Sequence, residues 1–263
     1  MADKQKATVL EQFTKQATSF ANSEVVKNDD VLSRIVARAE LTPEDLCLDV
    51  ACGPGLLACA IAPFVRHVKG IDLTPAMLVQ AKQLQSKKNL SNVTWIEGDV
   101  NVLPFANESF SLVTSRYAFH HLTEPRSVLR EMIRVCEPGG RILVVDTSPE
   151  HSKAVAFNRI ERLRDPSHVR ALSELEFREL FTDEGIFPQI VEKFRLAGEL
   201  EALLARSFPP KGNGQKVREA FESALKDDAF DVRPARAANS EIHYSFPIIL
   251  VKAKKPDSHA GSR

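Results

Sequence analysis

Apolar and polar positions alternate in two rhythms along the chain. Between Asp45 and Ser148, short β-type runs (CLDVA, HVKGID, VTWIEGD, SLVTSR and GRILVVDTS) are separated by stretches with helical spacing. Strands alternating with helices predict a parallel sheet with helices on both faces. Between the second and third runs, Thr74 can cap a helix with Pro75 at its first position and Ala81 and Leu84 on its apolar side. After the fourth run, Pro125 opens a helix that buries Val128, Leu129, Met132 and Ile133 and is stopped by EPGG. Upstream, Val31, Ile35 and Ala39, with Leu32 and Val36 beside them, form a stripe that would cover one sheet face. A more N-terminal helix carries Phe13 and Phe20.

Downstream, Ser173 and Glu176 form a capping box ahead of Phe177, Leu180 and Phe181, and Gly185 ends that helix. QIVEKF at 189–194 and SFPIILVKA at 245–253 read as an antiparallel pair added to the sheet edge, with Pro247 favouring an edge or an irregular start. Helical stretches at 198–207 and 215–227 lie between them, joined by PPKGNG. The expectation is one α/β domain over 1–253 with a mostly parallel seven-stranded sheet. Residues 1–40 would form a helical lid, 45–150 the core, and 150–185 and 198–240 helical insertions on the substrate side. The polar tail 254–263 would be disordered.

Composition narrows the partners. With 35 basic and 35 acidic residues in 263, no overall field favours nucleic acid or an anionic membrane, and a small-molecule partner is expected. No apolar run approaches the length of a membrane span, and the N-terminus MADKQKATVL has no secretory core. Cys47, Cys52, Cys59 and Cys136 form no C-x-x-C pair and sit in apolar surroundings, so reduced, buried thiols in a soluble cytoplasmic protein are expected, with no metal.

In an open parallel sheet, ligands bind beyond the carboxyl ends of the strands near the switch point. The first loop there is ACGPG, whose glycines let backbone N–H groups approach a ligand. The second strand ends in Asp72 and the third run in Asp99. Gly53, Gly55 and Ala58 satisfy a G-x-G-x-x-A fingerprint, so an NAD(P)-dependent oxidoreductase is an alternative. Against it, the tyrosine–lysine pair of short-chain dehydrogenases is missing. Asp49, just before the turn, also gains nothing beside a pyrophosphate, whereas it suits a ligand with a positive amino group.

LDVACGPG, GIDLTPAMLVQAK, WIEGDVNVLPF, RYAFHHL and RVCEPGGRILVVD, in that order, resemble the successive motifs of class I S-adenosylmethionine-dependent methyltransferases. Within these the chain resembles the methyltransferase type 11 group, which includes ubiquinone/menaquinone C-methyltransferase-like and YcgJ-like proteins. RLRDPSHVRALSELEFRELF extends the YcgJ-like resemblance to about residue 181. The resemblance implies a Rossmann-like fold and S-adenosyl-L-methionine as cofactor, with Asp49, Ala51, Gly53 and Gly55 around its methionine part. Asp72 would hold the ribose hydroxyls, Leu73 would lie against the adenine, and Asp99 with the backbone of Val100 would read the adenine edge. Arg116 would stand near the methionyl group. Ala51 departs from the fullest G-x-G-x-G form, and only a slight change in the turn is expected.

A sulfonium already makes its methyl group electrophilic, so the protein has mainly to align a nucleophile behind it and exclude water. A nucleophile bearing a proton would need a base, for which His120, His121 and Asp146 are the candidates. As adjacent residues, the two histidines should face different ways, and a surface pairing of His120 with Glu124 is the plainer alternative to catalysis. Arg159, Arg162, Arg164 and Arg170 could meet an acidic substrate, though a solvated face partnered by Glu161 and Asp165 is the simpler reading of that cluster. Phe157, Phe208, Phe221 and Phe230 would line an acceptor pocket or, more commonly for such residues, pack in a core. A cofactor-binding protein without transferase activity is a further alternative. The acceptor's identity, the methylated atom and the oligomeric state leave no signature in the chain.

Overall fold

The computed structural model describes residues 2–257. Three helices precede the sheet: α1 (Ala2–Asn22), α2 (Glu24–Lys27) and α3 (Asp29–Arg38). The Asn28 side chain accepts from the Val31 amide to cap α3, whose Val31, Leu32 and Ile35 are buried. The expected alternation follows as β1 (Leu46–Val50), α4 (Leu56–Ile61), β2 (His67–Asp72), α5 (Pro75–Lys87), β3 (Val93–Glu97), β4 (Phe110–Arg116), α6 (Pro125–Val135) and β5 (Cys136–Thr147). Beyond these come α7 (Ala154–Arg164), α8 (Glu174–Thr182), β6 (Gln189–Glu199), α9 (Leu200–Ser207), α10 (Asn213–Ala224), β7 (Ala235–Arg236) and β8 (Ile242–Lys254).

The sheet order is β3-β2-β1-β4-β5-β8-β6, with β7 paired to β8. Strands β1 to β5 run parallel, and β8 is antiparallel to its neighbours. The chain reverses its direction of winding between β1 and β4, so the loops after these two strands diverge and leave a crevice. Among the described residues there are eight strands and not seven. The additional one, β7, is two exposed residues on β8, too short to leave a periodicity. Pro247 is not at an edge but inside β8, opposite Arg195 of β6. On its other side the β5 ladder ends at Thr147 and Ile248, and the Pro247 carbonyl accepts from the Ser148 amide. The missing N–H therefore falls where the ladder stops.

Two apolar layers cover the sheet. On one face Val128, Leu129 and Met132 of α6 meet Phe177 and Phe181 of α8 over Leu48, Val113 and Val144. On the other, Ile35 of α3 and Leu57 and Ile61 of α4 pack on Val68, Leu112 and Leu143. Helix α8 thus belongs to the sheet covering, whereas α7 and the segment 165–170 after it lie beside His120 and His121. The capping box of α8 forms as expected, with Ser173 and Glu176 each satisfying the other's backbone amide. Thr74, by contrast, makes no side-chain cap. A third cluster joins α7, α9 and α10 through Phe157, Leu203, Val217, Phe221 and Phe230. Three of the four phenylalanines weighed as pocket lining are therefore core, and Phe208 is exposed. At the C-terminal end, Lys255 exchanges backbone hydrogen bonds with Gly139 and Gly140, so order continues into the first residues of the expected tail. The stretch 258–263 lies outside the described residues. Among the described residues no helix is long and apolar enough to cross a membrane.

Candidate functional site

The turn after β1 is built from three left-handed residues, Ala51 (φ 54°), Gly53 (φ 52°) and Gly55 (φ 75°). They do different things. A Cβ on Gly55 would lie 2.4 Å from the Trp95 ring, so this glycine lets α4 start against β3 and does not line the crevice. A Cβ on Gly53 would meet nothing within 4 Å, because its Cα faces open space. Ala51 carries a Cβ in a conformation that favours glycine, a backbone strain of about 1 kcal/mol. The expectation of only a slight change at this position leaves that strain out.

Two acids face this turn. Asp49 lies between Gly70 of β2 and Thr114 of β4 in the sheet register. It is 2% exposed, and Oδ1 accepts from the Thr114 hydroxyl at 2.9 Å. Burial pushes its carboxyl up to about 7 against the opposing pull of Thr114 and Arg116. Asp72 accepts from the Gly53 amide through Oδ2 and from the Thr74 amide through Oδ1, each at 2.8 Å. One carboxylate therefore holds both the glycine turn and the start of α5. Burial raises its pKa even so.

Asp49, Ala51, Gly53, Asp72, Leu73, Asp99, Val100 and Arg116 share the wall of one cavity with about 1090 Å³ of empty space, part of it open to solvent. Of the expected cofactor residues only Gly55 is outside it. The roof is α1, which the chain's own periodicity did not tie to this spot. Gln5 donates to the carbonyls of His121 and Ser167, and the buried Gln12 donates to the Ser207 carbonyl. Gln16 bridges Asp165 and Ser207. Lys6 meets Asp99 Oδ2 at 2.5 Å while Oδ1 accepts from the backbone and side chain of Asn101. Burial would raise Asp99, but Lys6 and Asn101 outweigh it and hold the carboxyl below its ordinary value. Arg116 donates to the Val26 carbonyl in α2 at 3.2 and 3.3 Å and lies over the Tyr117 ring. It thus pins the lid as well as lining the cavity.

A second cavity adjoins the first and shares Phe13, Phe20, Tyr117 and His121 with it. Tyr117 leaves β4 in a left-handed conformation (φ 57°), which turns the following Phe119–His121 segment inward as a single 3-10 turn. In so tight a turn the two histidine rings do not diverge as expected, and their centroids are 4.1 Å apart. His120 pairs with Asp146 through Nδ1 at 2.5 Å, not with Glu124. His121 Nδ1 meets the Ser167 hydroxyl at 3.1 Å. Arg164 is not on a solvated face. It is half-buried, with Glu161 at 2.6 Å and Asp165 at 3.9 Å, in the wall of this cavity. All four cysteines are free and buried, as expected, and burial pushes Cys47, Cys59 and Cys136 up to about 12.

The geometry agrees with what known proteins show. The family described as Methyltransferase domain matches residues 48–144. The methyltransferase YcgJ of Bacillus subtilis is 32% identical over 221 residues, covering 83% of this chain and 87% of YcgJ. The chain belongs to the class I methyltransferases, in the type 11 group with YcgJ. The crystal structure of YcgJ matches this methyltransferase with a TM-score of 0.80 at 29% identity, over 88% of this chain and 100% of that one. The protein YafE of Escherichia coli is 32% identical over 73% of this chain and 91% of its own. The nicotinamide oxidoreductase alternative gives way to this family.

The methyltransferase's first cavity suits a sulfonium amino acid joined to a nucleoside. Asp49 is a buried acid whose side chain has one hydroxyl partner, and an ammonium group would supply the missing charge. The open space over Gly53 admits the ligand to the turn. What the periodicity could not show were Lys6, Gln5 and Phe13 from the lid and Phe246 from β8, because their nearness to the site depends on long-range packing.

Proposed function

We propose that this methyltransferase moves the methyl group of S-adenosylmethionine to a small-molecule acceptor seated in the second cavity. The observation that carries the proposal is the junction of the two cavities at Tyr117 and His121, beneath the same helix α1. The Tyr117 hydroxyl is buried there without a partner. Asp49 would take the ammonium group, Asp72 the ribose hydroxyls, and Leu73, Asp99 and Val100 the adenine. Arg116 would stand near the methionyl end. When bound, S-adenosylmethionine supplies an electrophilic methyl group, and the chain's work is to orient the acceptor in line with it and keep water out. Phe13, Phe20 and the glutamines of α1 close the roof over that junction.

Calorimetry with S-adenosylmethionine and S-adenosylhomocysteine tests the first step. Both should bind with one-to-one stoichiometry, and Gly53→Val, which fills the open space over the turn, should abolish binding. Absence of binding by the unaltered chain sinks the proposal. Methylated products from an acceptor panel, detected by mass spectrometry, separate a transferase from a protein that keeps the pocket without turnover.

A further inference from the structure

Asp146, next to last in β5, is 1% exposed and fully engaged. Its Oδ2 accepts from the Phe119 amide at 2.7 Å, and its Oδ1 accepts from the Thr147 amide at 2.6 Å and meets His120 Nδ1 at 2.5 Å. A carboxylate only accepts, so Nδ1 carries the hydrogen and the lone pair of His120 is on Nε2. Among the described residues nothing pairs with Nε2, and His120 lines the second cavity. The same wall carries the rings of Phe13, Phe20, Tyr117 and Phe246. The two carboxylates of that wall are already engaged, Glu161 with Arg164 and Asp165 with Ser167 and Gln16. An ammonium acceptor would find no free acid there.

We propose that the acceptor is a planar phenol or enol, and that His120, oriented by Asp146, takes its hydroxyl proton. This rests on the second cavity being the acceptor chamber. In the step the acceptor's O–H bond breaks and its pair stays on oxygen, while an N–H bond forms on Nε2. The imidazolium is held by Asp146, and the oxyanion, or the ring carbon conjugated to it, becomes the nucleophile. A phenol, with a pKa of about 10, is within reach of an imidazole in a way that an aliphatic alcohol is not. Burial lowers the His120 pKa, but Asp146 outweighs it and the balance is raised. The other charged or titratable groups facing this ring are Glu161 and Arg164 of α7, His121 and His168. His121 is the poorer base: burial and the neighbouring His120 press it down to about 4.

The test uses the full chain loaded with S-adenosylhomocysteine and titrated with 4-nitrophenol, whose absorbance reports its own ionisation, at a pH about one unit below its free pKa. The unaltered protein should bind the dye as phenolate. In His120→Asn, whose amide can still donate to Asp146, the bound phenolate should fall about tenfold or more, with S-adenosylhomocysteine affinity by calorimetry unchanged. Asp146→Asn, a positioning variant, should lower the bound phenolate and shift its pH midpoint upward. Dye bound only as the neutral phenol, an undiminished phenolate signal in His120→Asn, or no dye binding at millimolar concentration overturns the proposal. Failure of S-adenosylhomocysteine to bind the unaltered chain overturns the methyl-transfer reading itself, and this proposal with it.

Discussion

Replacing Asp49 by asparagine should make the ligand-free protein more stable, and increasingly so as pH rises. The acid is 2% exposed and held by one hydroxyl, and its carboxyl is pushed by burial from 3.8 to about 7. At 1.36 kcal/mol per tenfold, the full difference is about 4 kcal/mol. The folded value lies above the unfolded one, so the folded chain holds the extra proton. The group's contribution is complete below about pH 4, is lost as pH rises toward about 7, and is level beyond. The substituted amide keeps an acceptor for the Thr114 hydroxyl and has no proton to lose. The stability difference between Asp49→Asn and the unaltered protein should therefore grow by about 3 kcal/mol between about pH 5 and pH 8. Urea unfolding of both proteins at several pH values measures it, and the groups they share cancel in the difference. A difference flat with pH would refute the claim that Asp49 is a desolvated acid. The same acid should ionise beside an ammonium ligand. Below about pH 7, binding of S-adenosylmethionine should thus release a proton, visible as a buffer-dependent heat in calorimetry.

Gly55→Ala should destabilise the fold by about 2 kcal/mol or more in urea unfolding, because it combines a left-handed backbone with a Cβ 2.4 Å from the Trp95 ring. Ala51→Gly should do the reverse, raising stability by up to about 1 kcal/mol as the left-handed strain is relieved, and a drop in stability would count against it. Gln12→Ala removes the shorter of the two hydrogen bonds to the Ser207 carbonyl and leaves it with Gln16 alone, at about 1 kcal/mol. Amide exchange should then quicken along α1 while the parallel strands stay protected, and uniform exchange across the chain would show that α1 is not a separable lid.

Much of the first cavity's wall was legible because its residues follow one another locally. In each β-loop-α unit the strand sets the height, the next residues form the turn, and the helix follows within a few positions. Asp49, Gly53, Asp72 and Asp99 could therefore be set at strand ends and turns from the pattern, whereas Arg116 came in through the family resemblance. The same pattern did not separate the two glycines of the turn, of which Gly55 serves the packing of Trp95 and Gly53 lines the cavity. The seven-strand expectation missed β7 for a related reason, since two exposed residues carry no period.

The second cavity was a matter of tertiary structure. His120 and Asp146 are 26 positions apart and meet because the parallel register sets Arg116 beside Val145, bringing the loop after β4 to the end of β5. Lys6 reaches Asp99, and Gln12 reaches Ser207, only once α1 has been laid across the finished sheet. Arg164, which by composition belonged to a charged surface, is drawn into a cavity wall because α7 packs against α9 and α10. Periodicity along a chain reports which face of an element is buried. It cannot report which distant element does the burying, and in this methyltransferase that choice shapes the second cavity.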